Sequence, residues 1–300
     1  MLSYEEKLLI GLNTLKRFKA TLRSREFLAR QNQDENLYQQ KSGKPDNLGE
    51  SRNSLQSIMF QSRPSLQAVL QAHGPWAQNS CVVGICDDGL PFVLDLTDPR
   101  AGGLLILGDP GSGKTRLLNN LLASTAALNG PGEVLFHIFA QEPQDFEQIS
   151  QADNCQNIFS LDDPAIVHLL EKLALFIHQR QRGSDRGPTL IVAIDNLASF
   201  LQFLPEDAMQ DLYTLITQGS SSRVWVIASL PSTQAEELDE QWLSAFSTLI
   251  FGAIHDQDLA KELTGDEASE TYDLYPGYQF SVPFGEAWLR FWVCESEEQF

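Results

Sequence analysis

The sequence predicts an α/β fold, a mostly parallel sheet with helices on both faces, preceded by a β-hairpin and an N-terminal helix. Three observations carry that expectation. Gly108-Asp109-Pro110-Gly111-Ser112-Gly113-Lys114-Thr115 matches GxxxxGK(S/T), a loop whose glycines let backbone N–H groups curl around a phosphate chain. The apolar run Leu104-Leu105-Ile106-Leu107 precedes it as a buried strand would, and Leu117, Leu118, Leu121 and Leu122 recur at helical spacing between Arg116 and Ala126. After this loop, short apolar runs alternate with helical patterns, the signature of a parallel sheet.

The first thirty residues read as one amphipathic helix, with Leu8, Leu12, Leu15, Phe18 and Leu22 at steps of three and four and basic residues between them. Such a helix packs on its own domain or a partner helix, or serves as an arm for nucleic acid or a membrane surface. Residues 31–75 read as a polar linker, rich in Gln, Asn, Ser and Asp to residue 57, with a short helix from Ser65 to Ala72. The remaining domain spans 76–300. Cys81 to Leu96 reads as a hairpin turning at Asp87-Asp88-Gly89. Further strands are expected at Val134 to Phe139, Leu190 to Ile194, Val224 to Ser229 and Leu249 to Ala253. A helix from Pro164 to about Arg180 starts behind Asp162 or Asp163.

The net charge of −19 is unevenly spread. Residues 1–30 hold seven Lys and Arg against three Glu, or +4, which leaves −23 for the rest. From Pro188 onward only Arg223, Lys261 and Arg290 oppose nineteen acidic residues. Sequence-independent grip on nucleic acid comes from Lys and Arg displacing counterions, so this balance disfavours a broad DNA-binding face. No apolar stretch approaches the roughly 18–20 residues of a membrane span, and the N-terminus lacks a signal-peptide core. The four cysteines show no zinc-like pairing and the five histidines no cluster, which fits reduced thiols in a cytoplasmic protein.

The loop assigns a nucleotide site to Gly108, Asp109, Pro110, Gly111, Ser112, Gly113, Lys114, Thr115 and Arg116. Lys114 would reach the β- and γ-phosphates, and Thr115 would place its hydroxyl on Mg²⁺. Such a loop needs a carboxylate for the Mg²⁺ shell at the end of a buried strand. Leu190-Ile191-Val192-Ala193-Ile194-Asp195 supplies Asp195, eighty-one residues after Lys114. A lone Asp in that position can equally cap a helix, and Asn196-Leu197 could open one.

The ordered set of segments resembles the FtsK/HerA superfamily of ring-forming P-loop motors, from about Val82 to Val293. Val83-Gly84-Ile85 through Leu94-Asp95-Leu96 resembles the hairpin before the loop. Ile138-Phe139-Ala140-Gln141-Glu142-Pro143 resembles the second strand, Arg223 to Ser229 the sensor strand, and Leu274-Tyr275-Pro276-Gly277 a late Leu-x-Pro-Gly turn. The resemblance implies a RecA/FtsK-like P-loop NTPase fold, ATP with Mg²⁺, and a homo- or hetero-oligomeric ring. It also implies a motor subunit that couples ATP hydrolysis to DNA translocation, and the apolar stripe of the N-terminal helix separately suggests a protein partner there.

Several departures bear on that activity. The family's catalytic Glu is replaced by Asn196, which can orient water but not accept its proton, a loss worth about 10²- to 10⁴-fold in rate. Leu230 stands near the usual polar sensor, and Gly219 to Ser222 offers no arginine for a neighbour's site. Glu142 is the candidate to complete catalysis with Asp195, or else a solvated loop acid. Arg180, Arg182 and Arg186 are a solvated helix end or a finger for a neighbouring site. The expectation is therefore an ATP hydrolase of slow turnover. Its alternatives are a catalytically impaired, nucleotide-gated structural or regulatory subunit, or a protein-secretion ATPase, which suits the acidic surface better than DNA does.

Overall fold

The computed structural model describes residues 63–183, 187–266, 269–285 and 287–295. The helix expected at 1–30 and most of the linker lie outside them. The described chain opens with α1 (Leu66–His73), whose cap Ser65 accepts a hydrogen bond from the Ala68 N–H at 3.2 Å.

The order then runs β1 (Ser80–Cys86), β2 (Pro91–Asp95), β3 (Leu104–Gly108), α2 (Lys114–Leu128), β4 (Val134–Ala140) and β5 (Cys155–Ser160). It continues with α3 (Ala165–Gln181), β6 (Thr189–Asp195), α4 (Leu197–Leu201), α5 (Glu206–Gln218) and β7 (Val224–Pro231). It closes with α6 (Glu240–Ala245), β8 (Thr248–Phe251), α7 (Gln257–Thr264), β9 (Gln279–Phe284) and β10 (Ala287–Trp292). The strands expected from the apolar runs are present. The sequence reading did not locate β5, β9, β10 or α5.

The described strands form one sheet in the order β2-β1-β10-β9-β8-β3-β7-β6-β4-β5. From β8 to β5 every pairing is parallel, and from β9 to β2 every pairing is antiparallel. The parallel half is buried on both faces, so its strands read as unbroken apolar runs. Leu105, Leu107, Val192, Ile194, Val226, Ala228 and Leu230 pack with α3, α4, α5 and α6 in one core cluster. Their neighbours Leu104, Ile106, Ile191, Ala193, Trp225 and Ile227 are equally buried but belong to the opposite face. There α2 crosses the sheet, in contact with β1, β3, β4, β6 and β7.

The face of α2 that meets β1 is polar, and its polarity is used. Asn120 Nδ2 donates to Val83 O at 3.0 Å, Ser124 Oγ accepts from the Val82 N–H at 2.6 Å, and Asn129 Nδ2 donates to Ser80 O at 3.0 Å. These residues satisfy backbone groups around a bulge between Val82 and Gly84. Gly84 sits where a Cβ would lie 2.3 Å from Trp292 O, so only glycine lets β10 approach β1 there.

Candidate functional site

The phosphate loop runs from the end of β3 into the first turn of α2. Its start is fixed by Asp109, whose N–H donates to Ala253 O at 2.9 Å. The Asp109 carboxylate accepts from Ser232 Oγ, from the His255 N–H at 2.9 Å, and lies 2.8 Å from His255 Nδ1. Partial burial pushes this carboxyl up, but those hydrogen bonds outweigh it and hold the group below the ordinary carboxylate range. The side chain of Asp109 therefore anchors the loop to the ends of β7 and β8. Gly113, with φ 93°, turns the chain into α2. Lys114 Nζ donates to Gly108 O at 3.0 Å and Asp109 O at 2.8 Å. Burial depresses its ammonium, while the charges of Asp195 and Asp109 act the other way.

The sheet order places β7 between β3 and β6, and this brings three side chains together. Thr115 Oγ1 lies 3.2 and 3.1 Å from Asp195 Oδ1 and Oδ2, and Ser229 Oγ donates to Asp195 Oδ1 at 2.6 Å. Burial raises the Asp195 carboxyl. The Ser229 and Thr115 hydrogen bonds and the charge of Lys114 pull it down, and the charge of Asp145 pushes it up again. A threonine hydroxyl facing a hydrogen-bonded carboxylate beside a desolvated lysine fits a Mg²⁺-nucleotide: oxygen donors for the ion and a cation for the phosphates. Among the described residues there is no group of three or more His, Cys, Asp and Glu that could hold a metal ion.

Asn196, not Asp195, is the helix cap. Its backbone is left-handed at φ 73°, its Oδ1 accepts from the Ser199 N–H at 3.1 Å, and its Nδ2 donates to Gln141 Oε1 at 3.2 Å. Glu142 lies in the exposed loop after β4 and accepts from Gln144 Nε2. Asp145, which the sequence reading passed over, is the acid of this loop whose charge reaches Asp195. Asn119 Nδ2 ties its turn to α2, donating to Asp145 O at 3.1 Å and Thr115 O at 3.3 Å.

Two sequence readings are corrected. Leu230 is fully buried and faces α3 to α6, whereas the preceding Ser229 supplies the polar group at the end of β7. Strand alternation turns adjacent side chains to opposite faces, so a shift of one position exchanges core for site. Arg180 is neither solvated nor a finger. It is buried, stacks 4.1 Å from the Phe176 ring and donates to Ser222 O at 2.8 Å and Pro188 O at 2.6 Å, closing the far end of the sheet. Arg182 is exposed, and Arg186 lies outside the described residues.

A cavity of about 450 Å³ adjoins the loop. The chain from Gly111 to Arg116 forms one wall, and the Pro276-Gly277-Tyr278 turn before β9 forms the other. The Arg116 guanidinium lies 4.1 Å from the centre of the Tyr278 ring. No described helix is long and apolar enough to cross a membrane.

Residues 66–151 match the FtsK/SpoIIIE family model. The ESX-5 secretion system protein EccC5 of Mycobacterium tuberculosis is 24% identical over 213 residues, which is 60% of this chain but 15% of that protein. The cytoplasmic domain of the type VII secretion ATPase EccC of Thermomonospora curvata superposes with a TM-score of 0.61 at 18% identity, over 80% of this chain and 33% of that one. The conjugation coupling protein TcpA of pCW3, in a monomer form with ATPγS, superposes with a TM-score of 0.63 at 16% identity, over 79% and 71%. The match to the family model thus covers the segment from the first described helix through the phosphate loop to the turn after β4, the fold is that of the P-loop NTPases, and the chain spans only a small part of the curated relative.

Proposed function

We propose that this chain is an ATP-binding domain of a protein-secretion ATPase, hydrolysing slowly and working on the cytoplasmic side of an oligomeric machine. The observation that carries nucleotide binding is the meeting of Lys114, Thr115, Asp195 and Ser229 at one end of β3, β7 and β6. Thr115 and Asp195 would hold Mg²⁺, directly or through water, and the ion would neutralise charge on the β- and γ-phosphates. Lys114 would leave the Gly108 and Asp109 carbonyls for phosphate oxygens, with the backbone from Gly111 to Gly113 donating to the same chain.

Slow turnover follows from Asn196. Its amide oxygen is committed to capping α4, so it neither accepts a proton nor points freely at an attacking water. Asp145 and Glu142 are the acids at the start of the neighbouring loop. The cargo is read from two directions. The ESX-5 secretion system protein EccC5 is similar to part of this chain and the type VII secretion ATPase EccC superposes on it, and the acidic balance from Pro188 onward repels a phosphate backbone. DNA translocation, the task the wider superfamily suggests, is disfavoured by that charge balance.

Turnover assays with and without double-stranded DNA, beside Lys114→Ala, test the reading. The expected result is Mg²⁺-dependent ATP binding that Lys114→Ala removes, and turnover below the median of about 10 s⁻¹ for enzymes, unchanged by DNA. DNA-stimulated turnover abolished by Lys114→Ala would overturn the secretion reading. Binding with no turnover at all would assign the chain to the structural class.

A further inference from the structure

We propose that the Arg116–Tyr278 pair is the platform for the nucleoside, and that it takes purine bases by stacking without reading their edges. The inference rests on the nucleotide site proposed above and concerns its other end. A phosphate chain wrapped by Gly111 to Thr115 must hand its sugar and base to adjoining space, and the adjoining space is the cavity between the loop and the Pro276–Tyr278 turn.

What lines that cavity decides how a base is recognised. Its walls are glycine backbone, Lys114, Thr115, Pro276 and the Arg116–Tyr278 pair. Among the described residues no Asn, Gln, Asp or Glu lines it, so none of the described walls offers a side-chain amide or carboxylate to tell adenine from guanine. The Tyr278 hydroxyl can donate or accept by rotating and does not discriminate. Arg116 is exposed, with its guanidinium carbon over the Tyr278 ring, and so keeps a planar cation within reach of the cavity. Guanidinium planes stack on bases as they do on aromatic rings. Tyr278 is itself held in place, because its carbonyl accepts from the Val293 N–H at 2.8 Å. Stacking strength grows with ring area, which favours purines over pyrimidines, whereas strong choice between two purines requires buried polar groups that the wrong base leaves unpaired.

The test is a set of equilibrium titrations of the full chain with fluorescent ATP, GTP and CTP analogues, competed by tripolyphosphate. ATP and GTP are expected to bind within about 10-fold of each other, with CTP weaker. Arg116→Lys keeps the charge but loses the plane, so it should weaken ATP by roughly 5- to 100-fold, the range of one stacked base. The same variant should leave tripolyphosphate affinity unchanged. Tyr278→Leu should act in the same direction and Tyr278→Phe should not. Arg116 is exposed, so its variant remains informative even if Tyr278→Leu unfolds the turn. A preference for ATP over GTP beyond 100-fold, or an unchanged ATP affinity in Arg116→Lys, overturns the proposal while leaving the phosphate site intact. Loss of tripolyphosphate binding in the unmodified protein would instead remove the nucleotide reading, and this proposal with it.

Discussion

In the parallel half of the sheet the site is built from side chains at strand ends; in the antiparallel half it is reached by a backbone turn. β3, β7 and β6 deliver Gly108, Ser229 and Asp195 side by side because a parallel sheet puts all its carboxyl ends on one edge. β9 delivers the Pro276-Gly277-Tyr278 turn, and the contact is so close that a Cβ on Gly113 would lie 2.4 Å from Gly277 O. The first half therefore supplies chemistry, whereas the second supplies shape. The two are joined by α2, whose first turn completes the phosphate loop and whose polar face holds β1.

The largest effect should come from breaking that seam. Gly113→Ala places a side chain at φ 93° and against Gly277 backbone. Left-handed strain of about 1–2 kcal/mol adds to overpacking of about 1–3 kcal/mol. The variant should melt roughly 5–15 °C lower and lose ATP binding. An unchanged melting temperature would mean that the turn gives way easily and the halves are not coupled.

Ser229→Ala tests the chemical half alone. It removes the donor to Asp195 and the acceptor for the Asn196 N–H at 2.9 Å. A buried group left unsatisfied costs about 1–3 kcal/mol. The expected outcome is Mg²⁺-dependent ATP binding weakened roughly 10-fold, with tripolyphosphate binding in the absence of Mg²⁺ little changed. Equal loss with and without the ion would show that Ser229 shapes the loop rather than the carboxylate.

Asn120→Ala tests the other half. The Val82 and Val83 carbonyls would lose their buried donor at a cost of about 1–2 kcal/mol. Amide hydrogen exchange should rise in β1 and β2 and stay slow in β3, β6 and β7. Uniform acceleration would show that the sheet opens as one unit.

The same contrast explains what the sequence made legible. Leu104 to Leu107, Leu190 to Ile194 and Val224 to Ser229 are buried on both faces and read as apolar runs, so the strands and Asp195 could be placed without coordinates. β5 is a half-exposed edge strand containing Gln156 and Asn157, and β9 contains Pro283, so neither shows a clean period. Helix α5 was readable, since Ala208, Leu212, Leu215 and Ile216 share one face behind Pro205, Glu206 and Asp207. Asp145 and Tyr278 were not readable as site residues. Each acts across a long-range contact, one through Asn119 and one through Arg116, and no local pattern encodes such a contact.

The smallest effect concerns the anchor at the start of the loop, where Asp109 joins β3 to Ser232 and His255 within the parallel half. Its folded-state carboxyl lies below the ordinary range despite partial burial, because the Ser232 and His255 hydrogen bonds favour the ionised form. A depressed carboxyl contributes stability above its unfolded value and loses it as pH falls through the folded one. Asp109→Asn should therefore melt below the unmodified protein near pH 7, by about 2–4 °C for a loss near 1 kcal/mol. The gap should close as pH drops below about 4, the unfolded carboxyl value. If the anchor serves the loop alone, ATP affinity at pH 7 falls only a few-fold and the Gly113 seam is undisturbed. A gap that instead widens in acid would mean the group ionises less readily in the fold, and that His255 does not hold the loop in place.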